Sequence, residues 1–61
     1  MYAVIERDRD GNEKVVKKMH YFVNARDYAE ALGEDTGDNG CNYLVHKIDE
    51  NGYLGELVAT I

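Results

Sequence analysis

The sequence predicts an α+β domain of order ββαββ, two β-hairpins forming an antiparallel four-stranded sheet with one helix packed on one face. Three observations lead there. Two apolar, β-branched stretches break at the same turn frame, Val4-x-x-x-Asp8-x-Asp10-Gly11 and Val45-x-x-x-Asp49-x-Asn51-Gly52. Between them Ala25, Tyr28, Ala29 and Leu32 recur at helical spacing. A length of 61 residues, with 44% apolar content and no proline, suffices for one small core, so residues 1–61 form a single globular domain.

The first hairpin occupies strands near 2–8 and 13–23. A two-residue Asp10-Gly11 loop would set Val4 against Lys17 and Glu6 against Val15. A three-residue loop, a type I turn followed by Gly11 in the left-handed region, sets Ile5 against Val15, Val4 against Val16, Glu6 against Lys14 and Arg7 against Glu13. Apolar then meets apolar and acid meets base, so the longer loop is preferred. The second hairpin, near 41–49 and 53–60, takes the same turn at Glu50-Asn51-Gly52. It pairs Ile48 with Leu54, Val45 with Leu57, Leu44 with Val58 and His46 with Glu56.

The helix is expected near 25–33. Asn24 suits the N-cap, Asp27 can complete a capping box, and Val23 with Tyr28 can form a hydrophobic staple. Gly33 reads as the C-terminal stop. The stretch Glu34-Asp35-Thr36-Gly37-Asp38-Asn39-Gly40 is polar and glycine-rich, hence a loop. One helix cannot cover both faces of strands that are apolar on both sides. We therefore expect a homodimer in which a second copy covers the bare face.

Charge narrows the classes of function. The net charge is −5, with +1 in residues 1–23 and −6 in residues 24–61. That balance opposes direct nucleic-acid or anionic-membrane binding, which needs basic residues to displace counterions. With no apolar run near membrane-spanning length and charge as early as Glu6, neither a membrane span nor a signal peptide is expected, and a cytoplasmic location follows.

Chemistry-bearing residues are sparse. If Gly11 were the sixth position of a calcium loop, the twelfth would be Lys17, and in the second copy Val58, where a bidentate glutamate is needed. Cys41, the only thiol, follows an acidic loop that favours its protonated form, so it reads as a small buried hydrophobe. His20 and His46 lie on different hairpins with no second cysteine, and the chain has no serine, so neither a zinc site nor a triad is expected. No cofactor and no enzymatic activity are expected. Five tyrosines suit core and interface packing.

The acidic helix face stands out. Asp27, Glu30 and Glu34 fall within roughly 60° on a helical wheel, opposite the apolar stripe and spread over ~10 Å of axis. Asp35 and Asp38 continue the charge. These five residues are the candidate binding surface for a basic protein partner. The chain ends at Ile61 with no tail or linker, which suggests a free-standing accessory or phage-like protein. We expect a non-enzymatic protein-binding module, in its most concrete form an inhibitor or modulator of a nucleic-acid-handling protein. The alternative is a structural or assembly protein that self-associates through sheet edges or faces; a small-molecule binder or enzyme with its site at a dimer junction comes third.

Overall fold

The computed structural model describes residues 1–36 and 40–61, and the side chains of residues 35 and 36 lie outside the described set. The elements are β1 (Tyr2–Arg7), β2 (Glu13–Met19), α1 (Phe22–Thr36), β3 (Asn42–Ile48) and β4 (Leu54–Thr60). All four strands join one antiparallel sheet in the order β2-β1-β3-β4, so the predicted α+β architecture is the observed one.

Both turns form as the sequence predicts. Gly11 N–H donates to the Asp8 carbonyl at 3.1 Å and Gly52 N–H to the Asp49 carbonyl at 3.0 Å. Both glycines have φ of 86°. A side chain locks each turn as well. Asp8 Oδ1 accepts from the amides of Asp10 and Asn12, and Asp49 Oδ1 from those of Asn51 and Tyr53, at 2.9–3.0 Å. These Asx bonds explain why the shared frame begins with aspartate.

Beyond the turns the predicted registers slip. In the first hairpin Ile5↔Val15, Glu6↔Lys14 and Arg7↔Glu13 hold, but a bulge then sets Val4 against Lys17 rather than Val16. In the second, Ile48↔Leu54 holds, and two irregularities move His46 to Leu57, Val45 to Ala59 and Leu44 to Thr60. His46 therefore does not face Glu56; its Nδ1 lies 3.1 Å from the Gly55 carbonyl, to which the Nδ1–H tautomer donates. Each bulge inserts one residue and reverses the in-out alternation that follows. Val16, Val58 and Ala59 thereby pack on the helix side, while Val15, Leu54 and Leu57 share the opposite face with Ile5, Ile48 and His46.

The helix is longer at both ends than expected. Its first backbone bond runs from Ala25 N–H to the Tyr21 carbonyl at 3.1 Å, so Tyr21 holds the N-cap position and Asn24 lies inside the first turn. Val23 is exposed and forms no staple. Tertiary packing overrides the local cap signal: Phe22 sits against Tyr2 with ring centroids 5.7 Å apart, drawing the chain into helix three residues early. Gly33 does not stop the helix and is not among the glycines with positive φ.

Two clusters fill the faces. Ala25 and Ala29 of α1 bury against Val4, Val45 and Tyr43, and their small side chains let the helix sit close to the sheet. On the other face Ala3, Ile5, Leu44 and Ile48 are also buried, in a cluster with no helix residue. Half-exposed Val15 and Leu54 flank it, paired directly with Ile5 and Ile48. The expectation of a fully bare second face is corrected: its centre is shielded, and its flanks are half-exposed.

The hairpins are also related to each other. Residues 41 positions apart occupy equivalent places in the turns and along β1 and β3, where Val4 pairs directly with its equivalent Val45. The outer ladders diverge, Ile5 meeting Val15 but His46 meeting Leu57. The pairs Tyr2↔Lys47 and Glu6↔Tyr43 exchange under the same operation. An approximate two-fold axis thus passes between Val4 and Val45, and α1 covers it.

Candidate functional site

Helix α1 projects Asp27, Glu30 and Glu34 into solvent, on the side away from Ala25 and Ala29. The backbone of Asp35 continues the helix, its side chain lies outside the described residues, and Asp38 lies outside them altogether. Of the five predicted residues, the structure therefore brings three onto one exposed face. The loop expected from Glu34 onward begins later, because 34–36 are helical.

The three carboxylates differ. Asp27 Oδ1 is 3.7 Å from the Arg26 guanidinium, which itself lies 5.8 Å from the centre of the Phe22 ring. Among the described residues, no ion pair involves Glu30 or Glu34. The last helical turn carries no basic residue. The helix macrodipole places partial negative charge at that end, so Glu34 adds to a potential that already repels it. Among the described residues, negative charge is thus concentrated at the C-terminal half of α1, with no ion pair at Glu30 or Glu34.

That charge borders a cleft. An open depression of about 370 Å³ lies between α1, the approach to β3 and the end of the chain, lined by Glu30, Gly33, Glu34, Cys41, Tyr43 and Ile61. Gly33 keeps the helix flank free of a side chain, and Ile61 is held in place by its N–H bond to the Tyr43 carbonyl at 2.8 Å. Buried Tyr43 donates its hydroxyl to Glu6 Oε2 at 3.0 Å. The cleft therefore combines an apolar and aromatic floor with a carboxylate rim, which suits the aliphatic stem and cationic head of lysine or arginine.

No family model matches the chain, and neither does any curated protein or solved structure. Its reading rests on its own geometry.

Sequence reasoning found the rim and missed the floor. Cys41, Tyr43 and Val45 alternate with period two, so their common face was legible. That this face meets the C-terminal half of the helix depends on β3 being a central strand, which the sequence does not reveal. Cys41 is half-buried. Among the described residues no group of three or more histidines, cysteines or carboxylates is placed to hold a metal ion, and no helix is long and apolar enough to cross a membrane.

Proposed function

We propose that the protein is a non-enzymatic binding module that engages a basic segment of another protein through the acidic flank of α1. An inhibitor or modulator of a nucleic-acid-handling protein is the most concrete form, since such partners present lysine and arginine along the track of a phosphate backbone. The observation that carries this reading is the position of Glu30 and Glu34, two carboxylates without ion-pair partners among the described residues, on the rim of an apolar cleft at the negative end of a helix. Stability does not require them there, because exposed carboxylates at a helix C-terminus are unfavourable to the helix.

The test uses an arginine-rich peptide as probe, titrated into the full chain and followed by amide chemical shifts. Shifts centred on Glu30, Gly33, Glu34 and Tyr43, lost in the double variant Glu30→Lys/Glu34→Lys and weakened as salt rises from 50 to 500 mM, support the reading. Shifts spread evenly over the acidic hairpin tips, or unaffected by the substitutions, overturn it.

A second reading, assembly through self-association, is favoured by a different observation. Strands β2 and β4 are edges with unpaired backbone groups, and they differ in protection. Lys14, Lys17 and Lys18 guard β2, whereas Glu56 is the sole charge in β4.

A further inference from the structure

We propose that the sheet face opposite α1 docks a second copy of this chain, the two sheets packing face to face about a two-fold axis. The inference is independent of the acidic flank and rests on the register of the strands.

The face has a shielded apolar centre and a half-exposed apolar flank. Ile5 is only 1% exposed and Leu44 2%, while Val15, Leu54 and Leu57 stand at 47%, 49% and 48%. The last two share this face only because of the bulges in the β3–β4 ladder. Leucines and valine left half-exposed beside an already dry centre are the groups that a second apolar surface would desolvate.

Charge selects the occupant. By register, Arg7, Glu13 and Lys18 are the strand charges on this face; Glu6, Lys14, Lys17 and Lys47 lie on the helix side, and Glu56 sits in the bulged segment opposite Lys47. Arg7 and Glu13 neutralise each other, with Arg7 Nε donating to Glu13 Oε2 at 2.7 Å. A molecule of net charge −5 thus presents here a surface with one uncompensated charge. Two copies can meet on it without opposing their acidic sides, as an isologous contact requires. A strongly charged partner would find nothing complementary.

Area sets the strength. Three strands of seven residues and one of six span a face of roughly 19 by 23 Å. Ala3, Ile5, Leu44 and Ile48 at its centre are already buried, so a second copy desolvates chiefly the flank of Val15, Leu54 and Leu57. The area removed from water therefore falls short of the ~1,000 Å² of a stable interface, which implies a weak dimer rather than an obligate one. Two sheets ~10 Å apart with helices on the outside would hold the two α1 axes ~30 Å apart, facing opposite ways.

Sedimentation of the full chain from about 10 µM to about 1 mM tests this. Wild type should move from 6.9 kDa toward twice that mass. Leu54→Lys/Leu57→Lys should stay monomeric or associate at least about tenfold more weakly, with an unchanged far-UV spectrum. Val15→Lys on β2 repeats the test should the double variant fail to fold. Glu30→Lys/Glu34→Lys should dimerise like wild type, which separates this proposal from the acidic-flank reading. A wild-type chain still monomeric at the highest concentration overturns the proposal. So does a folded Leu54→Lys/Leu57→Lys variant that dimerises normally, a result that would place the contact at the sheet edges.

Discussion

Replacing Gly33 with alanine tests both the helix and the cleft. A Cβ at this position would lie 3.5 Å from Ile61 Cγ2 and 3.9 Å from Tyr43 Cδ2, ordinary van der Waals distances. The backbone there is not left-handed. Alanine should therefore gain the helix-propensity difference, about 0.8–1 kcal/mol, reduced somewhat by the nearness of the helix end. For a domain of this size about 1 kcal/mol corresponds to a melting temperature higher by roughly 4–8 °C. Thermal and urea melts followed by circular dichroism measure it. A lower melting temperature would mean that Gly33 adopts the left-handed stop its sequence context suggests, and that α1 ends three residues earlier. The same methyl narrows the cleft floor, so affinity for the arginine-rich probe should fall while stability rises.

Gly11→Val and Gly52→Val should each destabilise by about 1–2 kcal/mol, the cost of a left-handed β-branched residue. No atom lies within 4 Å of either added Cβ, so the loss is conformational and the double variant should be additive in urea melts. Tyr43→Phe should cost about 1 kcal/mol by removing the partly buried hydroxyl bond to Glu6, and an unchanged urea midpoint would show that bond to be idle. Glu34→Lys should slightly raise the melting temperature by relieving the helix dipole while weakening probe binding; loss of both would show that Glu34 serves the fold.

The turns were legible because their chemistry is local. Asp8 and Asp49 bond to amides two and four residues ahead, and Gly11 and Gly52 supply the positive φ, all within five residues of sequence. The helix stripe was legible for the same reason. The helix ends were not, because Asn24 and Gly33 are local signals outweighed by distant contacts: Phe22 against Tyr2 at one end, Gly33 beside Ile61 and Tyr43 at the other. The bulges were invisible to a strict period of two, which put Val58 and Leu57 on the wrong faces. The acidic row could be read from spacing alone, whereas the cleft beside it needed the strand order.

The approximate two-fold axis between Val4 and Val45 also bears on how the chain folds. Each hairpin closes a three-residue loop and can form within about 1–10 µs, whereas the β1–β3 ladder joins residues some 35–45 apart and must await the closure of a long loop. The docking of the two halves is then the slow event. Because β1 and β3 are equivalent under the axis, β1 of one chain also offers an antiparallel match to β1 of another, with Val4 facing Val4. Refolding at high concentration should accordingly show a slower, concentration-dependent phase as wrongly paired hairpins separate, a kinetic competitor that arises from the symmetry of the sheet itself.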